Sequence, residues 1–188
     1  MKTKAKDLTI WITGASSGIG AALSIAFAKH SATIILSGRD EAKLVAVKNR
    51  CKNSKNHFII PFDITDAKQA KDAYKTAKAQ AGKIDWLINN AGISQRSLIM
   101  ETTEEVERQI MEIDYFAQTR LTRLVLPDMI AQGGGKALQG LPGQGPAGLG
   151  GLEGDGQLEL ALELEEVAEG GRQEGRADGL SAWLMPAV

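Results

Sequence analysis

The first 136 residues of this chain predict an α/β domain with a doubly wound parallel sheet, and three observations carry that prediction. Short apolar, β-branched runs alternate with segments of helical spacing. Glycine-rich or polar turns follow the runs, on the rim where open α/β sheets bind ligands. A length of 188 residues suits one domain with a single core.

"LTIWIT" (8–13) reads as a buried parallel strand ended by Gly14. "GIGAALSIAFAKH" (18–30) follows with helical spacing at Ile19, Leu23 and Phe27 and at Ala22 and Ala26. "ATIILSG" (32–38) is a second strand, and Asp40 caps a Lys-rich helix reaching Cys51. "HFIIPFDIT" (57–65) is a third strand, with Pro61 placing it at an edge or marking its end. Asp66 caps "AKQAKDAYKTAKAQA", which Gly82 closes, and "KIDWLINNAG" (83–92) is a fourth strand running into a polar turn. Thr102 and Glu105 form a capping box for a helical region reaching Gln132, which Pro127 should end or kink. Right-handed crossovers would join the strands, with helices on both faces.

The composition then breaks. Residues 1–136 hold 20 Lys and Arg against 14 Asp and Glu, a balance of +6; residues 137–188 hold 2 against 9, a balance of −7. Residues 133–156 include 11 Gly and 2 Pro, above the ~25–30% share that marks low complexity. Alternation calls for a fifth strand after "GGGK", but the glycines and prolines of "ALQGLPGQGPAGLGG" argue against one. The expectation is a sheet truncated after strand four and its helices, as a partial domain over 1–136, followed by a Gly/Leu/Glu-rich tail over 137–188, disordered or foreign. Strand four would then be an exposed apolar edge. Within the tail, "QLELALELEEVAE" (157–169) has helical composition.

Charge and cysteine usage narrow the function. A net charge of −1 gives no bias toward nucleic acid or anionic membrane, so small polar ligands are the expected partners. The single cysteine, Cys51, excludes an internal disulfide framework and fits a reducing compartment. The start "MKTKAK" precedes an apolar run too short for a signal core or a membrane span, so a soluble cytoplasmic protein is expected.

The chemistry sits in the turns. "TGASSGIG" (13–20) follows a strand and opens a helix, the context of a dinucleotide-binding turn in a Rossmann-like sheet. Gly14 permits the tight turn, Gly18 lets backbone approach a pyrophosphate, and Gly20 lets the helix pack close, with phosphates at the helix N-terminus. A purely structural turn is the plain alternative. In "SGRD" (37–40), Arg39 stands where an acidic residue would hold the ribose 2′-hydroxyl of NAD, so a 2′-phosphate and hence NADP is preferred over NAD, unless Arg39 is only a solvated charge. "FDIT" (62–65) puts Asp63 on the same rim, able to accept from an adenine amino group. "NNAG" (89–92) ends strand four there, with Ala91 and Gly92 small enough for a ribose to lie on the backbone. Asparagine at such a place is also a common turn residue.

These four motifs, in this order, resemble the short-chain dehydrogenase/reductase family over residues 8 to about 136. The resemblance implies that Gly14, Ser16, Ser17, Gly18, Ile19, Arg39, Asp63, Ile64, Asn90 and Gly92 line a cofactor site. It implies hydride transfer between NADP(H) and a small carbonyl or alcohol substrate, and a homo-oligomer pairing through the helix around 112–131. Members of the family continue with a strand ending in serine and a Tyr-x-x-x-Lys helix, the tyrosine being the acid/base and the lysine its support. Here no tyrosine follows Tyr115 and no lysine follows Lys136, so no catalytic residue is assigned, and the chain is expected to be inactive as written. Asp114 stands where the family usually has a catalytic asparagine.

"YKTAK" (74–78) matches Tyr-x-x-x-Lys, yet it precedes "NNAG" on a crossover helix beside the sheet, the wrong place for the nicotinamide. A changed reading frame, missplicing or fusion near residue 136 best accounts for the break. A genuine NADP-binding module without catalysis and an enzyme with a relocated acid/base are the alternatives.

Overall fold

The computed structural model describes residues 8–95, 97–142 and 180–183. Their elements, in chain order, are β1 (Thr9–Thr13), α1 (Gly18–Lys29), β2 (Thr33–Gly38), α2 (Glu41–Arg50), β3 (Phe58–Pro61), α3 (Ala67–Ala81), β4 (Trp86–Asn89), α4 (Glu104–Met111), a π-helical stretch (Glu112–Ala117), α5 (Gln118–Ala131), β5 (Lys136–Pro142) and β6 (Leu180–Trp183). The sheet order is β3-β2-β1-β4-β5-β6, parallel except for the last pair.

Alternation along β1 explains the two layers. Ile10 and Ile12 face one way and join Phe27, Ile34, Leu36, Leu44 and Trp86 in a core under α1 and α2. Trp11 faces the other way, with Ile35, Ile60, Leu87, Leu121 and Val125 under α3 and α5. Covering both faces requires the near-continuous apolar runs that the sequence shows. The caps Asp40 and Asp66 hold as expected, accepting from Lys43 N and from Lys68 N and Gln69 N.

Several expectations need correction. The sheet is not truncated after strand four: β5 pairs with β4 from Trp86↔Lys136 to Asn89↔Gln139, so β4 is an interior strand and no apolar edge. The paired stretch, Lys-Ala-Leu-Gln, contains neither glycine nor proline and matches β4 in length, and the ladder supplies what weak strand propensity does not. Gly140 and Pro142 fall beyond it, opposite β6. The strand also crosses the boundary drawn at 136, and Leu138 is 6% exposed within the core. The glycines before it form a helix stop. Gly133, at φ 85, donates to Ile130 O, and Gly134 donates to Met129 O, a Schellman closure of α5. The segment 157–169 lies outside the described residues.

β3 and β4 are each four residues long, shorter than the apolar runs that announced them. Pro61 is the last residue of β3, and β3 is a sheet edge. The helical region begins after Thr103, not Thr102, whose hydroxyl donates to Leu98 O. Pro127 lies inside α5 without ending it, at an exposed position on the helix.

His57 anchors the approach to β3. Its Nδ1 accepts from Ile34 N at 3.2 Å, and its Nε2 donates to Lys52 O at 2.8 Å, an arrangement that requires the neutral ring. Burial pushes its pKa below the ordinary 6.5. A base with a depressed folded pKa stabilises the fold above its unfolded pKa and loses that contribution as pH falls through the folded value. The unfolding free energy from urea titrations should therefore fall from pH 7 to 5, by up to about 1.4 kcal/mol per pH unit from this group. His57→Leu should be less stable at pH 7 and flatter across that window; parallel slopes for the two proteins would exclude His57 as the source.

Candidate functional site

A cleft of about 610 Å³ opens at the carboxyl ends of the strands, over the gap between β1 and β4, the point where the strand order reverses. The glycine turn, the ends of β2 and β3, the turn after β4 and one face of α4 all contribute to its lining. Of the residues singled out from sequence, Gly14, Ser16, Ser17, Ile19, Arg39, Asp63, Ile64, Asn90, Ala91 and Gly92 line it. Gly18 and Gly20 do not.

The glycines separate into two roles. Gly14 sits at φ 65, and a Cβ there would lie 2.9 Å from Ala91 Cα. Gly20 is more crowded: its Cβ would fall 2.4 Å from Gly14 O and 2.5 Å from Asn90 Nδ2. These two glycines let α1 and the turn close against the end of β4. Gly18 is different, at φ 53 with nothing within 4 Å of where a Cβ would stand, so the space above the start of α1 is open. Ser17 makes no side-chain capping bond there, and the first turn holds no acidic residue. The free N–H groups and positive end of α1 are thus left for an anion, in contrast to the carboxylate-capped α2 and α3.

Around this turn the polar groups are tied in a chain. Thr13 Oγ1 accepts from Asn90 N and Ala91 N, both at 3.0 Å. Asn90 Nδ2 donates to Thr13 O at 3.1 Å and Gly14 O at 3.2 Å, so this side chain fixes the glycine turn as well as lining the cleft. Ala15 N donates to Ser37 O at 2.9 Å, joining the same turn to the end of β2. Sequence reasoning missed Thr13, although a β-branched hydroxyl at the last residue of a strand was the available signal.

On the other side of the cleft, Arg39 is exposed and forms no ion pair among the described residues. Its neighbour Asp40 is engaged, accepting from Lys43 N at 3.0 Å and pairing with Lys43 Nζ at 3.1 Å. Asp63 Oδ1 accepts from Thr65 N at 2.9 Å and Thr65 Oγ1 at 2.7 Å, which holds the carboxylate on the rim. Gln109, Glu112 and Ile113 complete the lining from α4 and the π-helical stretch. Their spacing was legible as one helical face, but nothing local said that the face meets a cleft.

Asp114 lies beneath the lining. Its Oδ1 accepts from Ile93 N at 3.0 Å, and burial pushes its carboxyl pKa up, with that amide opposing the shift. Its carbonyl accepts from Gln139 Nε2 of β5 at 3.0 Å. "YKTAK" is elsewhere: the Tyr74 hydroxyl donates to Asp128 Oδ2 on α5, and Lys78 Nζ lies 2.6 Å from the same oxygen. Burial and Asp128 push the tyrosine up to about 12. These residues border a separate cavity of about 260 Å³ that shares no residue with the cleft. They tie α3 to α5.

Comparison with known proteins fits this geometry. Residues 8–139 match the family model for short chain dehydrogenase. The human dehydrogenase/reductase SDR family member 7 is 40% identical over 135 residues, 69% of this chain and 40% of that protein. Member 7B from Xenopus laevis is 38% identical over 127 residues, 63% of this chain and 39% of its own. The chain thus spans about two fifths of the length of these relatives. Among solved structures, a short-chain dehydrogenase from Streptomyces avermitilis superposes with a TM-score of 0.67 at 29% identity, covering 89% of this chain and 60% of that one. A gluconate 5-dehydrogenase from Burkholderia cenocepacia, solved with NADP and tartrate, gives 0.63 at 28%, covering 69% and 51%. With its glycine turn, its switch-point cleft and the match over 8–139 in agreement, the chain belongs to the short-chain dehydrogenase family of oxidoreductases.

Proposed function

We propose that the cleft binds NADP in preference to NAD, for an oxidoreductase reaction between NADP(H) and a small carbonyl or alcohol substrate. The observation that carries the choice of cofactor is Arg39, standing on the rim with its neighbouring carboxylate turned away to cap α2. A guanidinium there can pair with a 2′-phosphate, and the carboxylate beside it, Asp40, is engaged at the start of α2 instead of facing a 2′-hydroxyl. The open start of α1 would hold the pyrophosphate, Asp63 the adenine amino group, and the Asn90–Gly92 backbone the second ribose. Relatives have been solved with NADP and, in a Brucella melitensis 3-ketoacyl-(acyl-carrier-protein) reductase, with NADH, so family alone does not choose. The buried Cys51 fits a reducing, cytoplasmic setting.

The nicotinamide would supply the hydride; the protein's part is to position it and to move a proton at the substrate oxygen. For that proton this chain offers no tyrosine after Tyr115 and no lysine after Lys136, while Tyr74 is engaged with Asp128 away from the cleft. The chain as written therefore binds cofactor without turnover, which makes a non-catalytic NADP-binding or interaction module the second reading. A second copy would pair through the helix around 112–131, on which Tyr115 and Phe116 are exposed at 43% and 52%.

Titration with both cofactors tests the first claim. The wild type should favour NADP, and Arg39→Asp should weaken it about ten- to hundredfold, the size of one lost charge-assisted hydrogen bond, and reverse the order. Equal affinities in the wild type would remove Arg39 from the site.

Turnover tests the second. NADPH oxidation with a panel of aldehydes, ketones and quinones should be absent for this chain and should appear when a family-type carboxyl half follows Lys136. General acid/base catalysis alone is worth about 10²- to 10⁴-fold. Activity in the unaltered chain that Tyr74→Phe abolishes would restore "YKTAK" as a catalytic pair.

A further inference from the structure

We propose that Gln118 and Arg120 are positioning residues that set the two ends of the cleft separately, Gln118 the turn at 90–93 and Arg120 the loop at 63–65. The inference rests on the proposal that the cleft holds a nucleotide. Neither side chain lines the cleft; each holds backbone that does.

Gln118 is wholly buried, and its Nε2 donates to Ala91 O at 2.7 Å. Four residues earlier, Asp114 accepts from Ile93 N at 3.0 Å. The helix thus grips the turn around Gly92 from both sides, where glycine would otherwise leave the backbone loose. Packing does not explain the glutamine. Among the described residues its Oε1 has no hydrogen-bond partner, a cost that methionine or leucine would avoid. What glutamine alone adds is the donor to Ala91.

Two residues on, Arg120 reaches the opposite end. Its guanidinium donates to Thr65 O at 3.2 Å and Ile64 O at 3.5 Å, and Glu112 holds it at 2.9 Å. Ile64 and Thr65 follow Asp63 on the rim beside Arg39. Because the two anchors stand on one rigid helix but hold different loops, loss of either should loosen one end and spare the other.

Two ligands separate the ends. NADPH needs the whole cleft, whereas adenosine 2′,5′-bisphosphate needs only the Arg39 and Asp63 end. Gln118→Met should weaken NADPH about tenfold, as for one buried hydrogen bond, and leave the bisphosphate within about twofold. Arg120→Met should weaken both. Amide exchange without ligand should quicken at 90–93 in Gln118→Met and at 62–65 in Arg120→Met. Equal loss of both ligands in Gln118→Met, or no loss of either, overturns the proposal. If the wild type binds neither nucleotide, the functional reading fails and exchange alone decides: separate loosening supports the positioning roles, and uniform or absent loosening overturns them. Should Gln118→Met not fold, Asp114→Leu removes the Ile93 tie and must give the same pattern of ligand loss and exchange.

Discussion

The hydroxyl of Thr13 joins the two strands between which the fold reverses direction, and the cleft depends on that join. Thr13 is 1% exposed, and its oxygen accepts from two successive N–H groups, those of Asn90 and Ala91, while it donates toward Ile88 O at 3.3 Å. A valine of the same shape would leave Asn90 N only its bond to Ile88 O and would take from Ala91 N its acceptor, at about 1–3 kcal/mol for a buried group left unpaired. Asn90 returns the tie by donating to Thr13 O and Gly14 O. The mouth of a switch point opens between strands that lead to opposite halves of the sheet, so something other than the ladder has to fix its width. Here it is one hydroxyl and one amide, with Gly14 and Gly20 clearing the space they need.

From that join the order extends outward through the helix over 104–131. Its first part presents Gln109, Glu112 and Ile113 to the cleft, and its last part presents Leu121, Val125 and Met129 to the core. One straight α-helical face does not serve both surfaces. The π-helical stretch Glu112–Ala117 widens the turn by a residue and so rotates α5 by about 100° relative to α4. Asp114 and Gln118 then meet the β4 turn from below and Arg120 meets the β3 loop. Such stretches are strained relative to α-helix and recur at functional sites; in this chain the stretch lets one helix both wall the cleft and brace it.

What could be read in the sequence was what is encoded locally. The glycine turn, the Asp40 and Asp66 caps and the alternation of layers depend on residues within a few positions of one another, and they stand as expected. The end of strand three was over-read, because "HFIIPFDIT" stays apolar at Phe62 and Ile64, past the point where its neighbour stops: β3 pairs only from Ile35↔Phe58 to Gly38↔Pro61. Hydrophobicity marks burial, whereas a strand ends where the ladder ends. Gln118 and Arg120 were invisible for a related reason: their partners lie 27 and 55 residues away, and no period in the helix announces a π turn. The fifth strand was missed by averaging, since "KALQ" is four ordinary residues at the head of a glycine-rich window.

That last miss relocates the limit of the domain. Composition changes after Lys136, but contacts continue: Leu138 is buried in the core under α1, and Gln139 donates to the carbonyl of Asp114 at the center of the π-helical stretch. The family match also runs to residue 139. The contacts of the sheet run on past it, since Gln139 to Pro142 pair with β6, and the Gln139 amide locks β5 to the helix that braces the cleft. Among the described residues, those lining the cleft lie between Thr13 and Ile113, and the braces named above lie at or before residue 139. The segment that matches the family model thus carries both the lining of the cleft and the side chains that brace it.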